Sequence, residues 1–195
     1  MNWLAHIQLS GDSPATRIGN LLPDLMRASE LGCVSEQFLP GIQLHRIIDS
    51  YTDSHANFRQ SVVRVDGPLR RFAPIIVDIF YDHFLTLEWS SFSAISLEAV
   101  VNDFHQSIDS FRMVLPEAAY IRLAEIRDAG YLMSYSSEDG IAAALARVSS
   151  RLRRRVDLSV GVEKLRTHYD FFATDFRGFY PQLLNHIKKQ AAPRS

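Results

Sequence analysis

After Leu97 the apolar residues fall at Val100, Val101, Phe104, Ile108, Phe111 and Met113, mostly three or four apart. An α-helix turns about 100° per residue, so this spacing gathers them on one face. The same period recurs along the chain, and the strict alternation of a half-buried strand is nearly absent. Helices are expected over 3–9, 15–22, 35–56, 74–87, 97–114, 117–127, 138–155 and 162–191. Pro40-Gly41 reads as a turn, with the next helix starting near Gly41. Ser137, followed by Glu138 and Asp139, offers a cap and early acids to the Ala-rich helix. Pro74 suits a first helical turn, where its missing N–H is not needed. Linkers are short and no internal repeat is visible. The expected architecture is all-α, a single-domain helical bundle over residues 1–195.

Composition narrows the functional classes. The hydrophobic fraction is 47%, and 12 Phe and 7 Tyr can supply much of a core. A formal net charge of −1 argues against a surface that attracts polyanions everywhere, and so against nucleic acid as partner. A lone cysteine, Cys33, excludes an internal disulfide framework. Met1 to His6 carries no basic leader, and no apolar run approaches the roughly 18 residues of a membrane span. A cytoplasmic protein without membrane insertion is expected.

His45, Asp49 and Asp53 stand four residues apart. Each step of four returns to nearly the same helix face, with a drift of about 40°. An imidazole beside carboxylates is a ligand set for a divalent cation. The same stripe also suits the solvated face of an amphipathic helix, although Leu44, Ile47, Ile48 and Tyr51 leave no simple polar half. Asp78, Asp82 and His83 lie in a strongly apolar helix, where acids either occupy a narrow wet strip or coordinate something. Asp24, after Asn20-Leu21-Leu22-Pro23, reads in isolation as a helix cap. His6, on a short apolar segment, reads as a core histidine with one hydrogen bond. His168 is open between a supporting and a structural place. Cys33 has no context for a nucleophile, and no Gly-rich phosphate loop is present. The run Arg151-Leu152-Arg153-Arg154-Arg155 reads either as a solvated helix end or as a face for an acidic partner.

Taken in order, Met1-Asn2-Trp3-Leu4-Ala5-His6, Gly19-Asn20-Leu21-Leu22-Pro23-Asp24, Gly41 to Asp49 with Thr52-Asp53, Arg71-Phe72-Ala73-Pro74-Ile75, Asp82-His83-Phe84-Leu85, His168-Tyr169-Asp170 and Phe179-Tyr180-Pro181 span nearly the whole chain. Together they resemble the acyl carrier protein phosphodiesterase family. The resemblance implies a helical fold related to the HD-domain phosphohydrolases, with the adjacent pair reversed to Asp82-His83. It implies manganese dependence, with Mg2+ or Fe2+ as alternatives. The implied reaction removes 4′-phosphopantetheine from the serine of holo-acyl carrier protein, leaving the apo-protein. On this footing Asp24, His45, Asp49, Asp82 and His83 are expected as metal ligands. His6, Arg46, Asp53, Asp78 and His168 are expected in supporting places. The carrier is acidic, so Arg70, Arg71, Arg147, Arg151, Arg153, Arg154 and Arg155 are expected to dock it.

Two other readings compete. One is an HD-type phosphohydrolase of a nucleotide or another small phosphoester, which would show a closed pocket with base-stacking aromatics. The other is a helical binding module with Arg151 to Arg155 contacting nucleic acid, which has no need of the acidic stripe and against which the overall charge argues.

Overall fold

In the computed structural model, which describes residues 3–152 and 156–191, every regular element is helical. The α-helices are α1 (Trp3–Leu9), α2 (Pro14–Leu25), α3 (Leu39–Ser54), α4 (Ala56–Arg64), α5 (Ala73–Leu87), α6 (Leu97–Ser110), α7 (Glu117–Asp128), α8 (Tyr131–Ser134), α9 (Glu138–Arg151), α10 (Val162–Thr167) and α11 (Tyr169–Ala191). Among the described residues no helix is long and apolar enough to cross a membrane. The chain divides into two compact units. One holds 3–49 and 89–133, the other 50–88 and the described residues from 134 onward.

In the first unit α1 is buried almost all round, with Leu4, Ala5, His6 and Ile7 fully enclosed. Gly11, at φ +66°, turns the chain into α2 in a conformation that side chains with a Cβ resist. Ser13 caps α2 by accepting from the Thr16 amide, and Pro14 sits in its first turn. The guanidinium of Arg17, nearly buried, donates to the Gly11 carbonyl at 2.7 Å and pairs with Asp103 of α6. This ties α2 to α6.

Two glycines set how closely the backbones approach. A Cβ on Gly19 would collide with the Phe38 carbonyl, and one on Gly41 with the Thr16 carbonyl and the Asn20 amide. The expected turn at Pro40-Gly41 is absent. Instead α3 already starts at Leu39 and includes both residues. Proline costs nothing in a first turn, and Gly41 is what lets α3 lie against the backbone of α2.

The second unit has an aromatic core between α5 and α11. Phe80 meets Phe172 edge-on at 5.2 Å, and Tyr81 meets Phe176 at 5.4 Å. Asp175 of α11 is nearly buried, but its carboxylate accepts from Ser61 Oγ at 2.9 Å and pairs with Arg64 of α4 at 3.0 Å. Removing Arg64 would leave this buried carboxylate without its ion pair, a change that is strongly destabilising.

Several boundaries differ from the sequence pattern. The helix α4 is not signalled, and 111–114 form turns after α6 ends at Ser110. Ser137 does cap α9, accepting from the Gly140 amide at 3.1 Å. That helix ends at Arg151, and the expected extension to 155 runs into residues outside the described ones. The long C-terminal helix is broken at His168, which closes α10 before α11 begins.

Candidate metal centre

The site grows from one unsatisfied helix end. At the C-terminus of α1 the Ser10 amide bonds to the Ile7 carbonyl, so it is not spent on His6. The freed His6 carbonyl accepts instead from Ser10 Oγ at 2.8 Å and from Asn20 Nδ2 at 2.9 Å. A carbonyl can only accept, so that end of the Asn20 amide is its NH2 and the other end is its oxygen. Asn20 Oδ1, fully buried, therefore accepts from His6 Nδ1 at 2.8 Å. The main-chain oxygen of the same Asn20 accepts from His45 Nδ1 at 2.7 Å. Pro23 lies four residues after Gly19 and cannot donate to its carbonyl, which loosens the α2 ladder beside Asn20. Gly41 places α3 against this stretch, and His45 lies one turn further along.

With both Nδ1 atoms committed, both Nε2 atoms face Asp49. They lie 3.3 Å (His6) and 3.0 Å (His45) from its two carboxylate oxygens. Asp24 approaches His45 Nε2 at 3.8 Å. One ligand atom from each of His6, His45 and Asp49 falls within 4.8 Å of the others. The imidazoles are the closed side of the site and the carboxylates the open side. Asp24 and Asp49 expose 38% and 40% of their side chains, against 0% and 7% for His6 and His45.

Charge follows position. Burial pushes His6 below the ordinary imidazole range, only partly opposed by the Asp49 carboxylate beside its Nε2. Burial also works against His45, but Asp49 and Asp24 outweigh it and raise its pKa. Burial alone would raise Asp49, yet the His45 and His6 imidazoles at its two oxygens, His45 first, hold it well below the carboxylate range. An ionised carboxylate beside two ring nitrogens whose far sides are tied to oxygens is a donor set that fits a divalent cation such as Mn2+. Arg46, exposed on α3 next to His45, has no ion pair among the described residues.

The cluster found among the described residues does not include the other expected residues, each of which has its own surroundings. Asp53, two steps of four from His45, has drifted to an exposed position on the far end of α3, in the second unit; its carbonyl accepts from Arg59. Asp82 and His83 also belong to the second unit. Asp82 is fully buried and raises the pKa of the Tyr180 phenol, which burial already pushes up. His83 Nδ1 donates to the Tyr135 carbonyl at 2.7 Å, and burial lowers the imidazole's pKa. Asp78 is half-buried on α5, where its charge helps burial raise the Tyr81 phenol. His168 is half-buried between Phe171 and Phe172 at the α10–α11 break. Arg70 and Arg71 are exposed on the 3-10 turn Gly67–Phe72, Arg151 is exposed, and Arg147 is half-buried. Arg153, Arg154 and Arg155 lie outside the described residues. From sequence alone His6 stands below Asp82 as a ligand, and Asn20 carries no chemical signal of its own. Its only mark is a place in the Gly19 to Asp24 segment.

The profile of the acyl carrier protein phosphodiesterase family matches residues 1–183. An acyl carrier protein phosphodiesterase of Photorhabdus laumondii subsp. laumondii is 31% identical over 185 residues, 94% of this chain and 93% of that one. Proteins of the same name from Pectobacterium atrosepticum and Klebsiella pneumoniae are 28% and 31% identical, over 97% and 94% of this chain and 99% and 96% of theirs. No solved structure matches. The chain belongs to the acyl carrier protein phosphodiesterase family and is a hydrolase.

Proposed function

We propose that this enzyme uses a divalent cation, Mn2+ in the first instance, to hydrolyse the phosphodiester joining 4′-phosphopantetheine to a serine of holo-acyl carrier protein. One observation carries the reading: His6 Nε2, His45 Nε2 and an Asp49 oxygen converge within 4.8 Å, with their far sides already committed. These three residues would hold the ion, and Asp24 would add a second carboxylate from the open side. Bound there, a divalent ion lowers the pKa of water and offsets charge developing on phosphoryl oxygens.

The reaction forms one P–O bond from water and breaks the P–O bond to the serine. The water's proton ends on the serine hydroxyl, and the arm leaves as 4′-phosphopantetheine. Asp49, whose pKa is held far down, would meet the ion as a carboxylate. His6, held neutral by burial, keeps a lone pair for a ligand. Arg46, exposed beside His45 on α3, would contact a phosphate oxygen. A phosphodiester on a protein surface cannot enter a deep pocket, and here the two carboxylates face solvent.

The test is incubation of the purified protein with holo-acyl carrier protein and Mn2+, with and without chelator, following the carrier's mass. Loss of the arm only in the metal-replete sample is expected. Retention of the arm in both would overturn the proposal.

A further inference from the structure

We infer that Asn20 is the positioning residue of this centre: through its side-chain oxygen and its main-chain oxygen it holds both His6 and His45 in the Nδ1–H tautomer, so that both Nε2 lone pairs point at one spot beside Asp49. The inference rests on the metal reading only for its consequence, because the hydrogen bonds themselves involve the chain alone. Asn20 uses all its polar groups except its amide N–H on this task. Nδ2 donates to the His6 carbonyl and to Ser10 Oγ at 2.8 Å, which fixes the amide's orientation. Oδ1 then has no choice but to accept, and the ring nitrogen it meets must carry the proton. The main-chain oxygen forces the same tautomer on His45.

The two controls differ in kind. His6 is governed by a side chain that substitution can remove, whereas His45 is governed by a carbonyl that survives substitution. A single change at position 20 should therefore release one imidazole and leave the other. General loss of packing would disturb both.

The experiment reads ring nitrogens directly. Long-range proton–nitrogen spectra of the 15N-labelled, metal-free protein, at alkaline pH with both rings neutral, should show His6 and His45 as Nδ1–H. Asn20→Ser should move His6 toward the Nε2–H tautomer and leave His45 unchanged. Asn20→Asp, which keeps an acceptor at Oδ1, should hold His6 as Nδ1–H. By calorimetry, Asn20→Ser should weaken Mn2+ binding about 10- to 100-fold, the usual cost of losing an orienting partner of a ligating histidine. The wild-type spectrum alone overturns the inference if either ring is Nε2–H. So does an Asn20→Ser protein, folded by circular dichroism, in which His6 is unmoved or both rings shift together. Absence of Mn2+ binding to the wild type would defeat the metal reading instead, and leave the tautomer result to be judged on the spectra.

Discussion

The rings of His6 and His45 stack with centroids 4.3 Å apart and planes only 15° from parallel. Two imidazolium ions so close would repel by about 4 kcal/mol at an effective dielectric of 20. The two rings therefore resist being charged together, and the surroundings bias a proton toward one of them. His45 faces Asp24 as well as Asp49, so its pKa rises; His6 is sealed in α1, so its pKa falls. Without a metal ion, a proton on His45 Nε2 faces Asp49. A divalent cation at the same spot would exchange that proton for bonds to both rings.

His6 should accordingly matter as much as His45. His6→Gln, His45→Gln and Asp49→Asn are each expected to lower kcat/KM on holo-acyl carrier protein by at least about 100-fold, equivalent to about 2.7 kcal/mol. Steady-state kinetics on variants with unchanged helical circular dichroism checks this. Near-normal turnover by His6→Gln would remove it from the centre.

Metal binding should also appear without any turnover. Mn2+ at about 100 times its Kd adds about 2.7 kcal/mol to a folded state that binds it, or about 5–10 °C in Tm for a chain of this size. A thermal melt with Mn2+, with chelator and with neither should show that rise for the wild type. Asp49→Asn should melt at one temperature in all three conditions.

Much of this was legible because it is local. The α1 bounds follow from an apolar run ended by a turn, and the His45 to Asp49 pairing follows from a step of four on one helix. The helix α4 escaped notice because its cap is the ring of His55 and its buried face is only Phe58 and Ser61 among polar residues. The break at His168 has no Gly or Pro to mark it. Gly178 and Pro181, which look like breakers, lie inside α11, where a Cβ on Gly178 would strike the Asn57 side chain. His6 was undervalued because Asp49 is far away in sequence. Asn20 leaves no trace in the pattern because half of what it supplies is a backbone carbonyl, which any residue carries.

The glycine contacts bear on the site and can be separated from general intolerance. Gly41→Ala should cost about 1–3 kcal/mol, since its Cβ meets the backbone of α2 rather than a movable side chain. A Cβ on Gly32 meets nothing within 4 Å, so Gly32→Ala should stay within about 0.5 kcal/mol of wild type. Urea unfolding of the two variants checks the contrast, and equal midpoints would mean that α3 can move away from α2.

Acid should weaken the first unit through His105. Its Nε2 is buried with no hydrogen-bond partner among the described residues. Burial lowers its pKa, the positive charge of Arg127 lowers it further, and Asp128 opposes them. The unfolded chain, with an ordinary imidazole near pKa 6.5, then binds a proton before the folded chain does. Stability therefore falls as pH drops through about 6.5 and is unaffected by this group above about pH 7. His105→Leu removes the titration and the unsatisfied nitrogen together. Relative to wild type, the variant's stability should be constant at neutral and higher pH and should improve steadily below about pH 6.5. Urea midpoints for both proteins at several pH values measure this directly, and a wild-type-to-variant difference that does not change with pH would show that His105 titrates alike in the folded and unfolded chains.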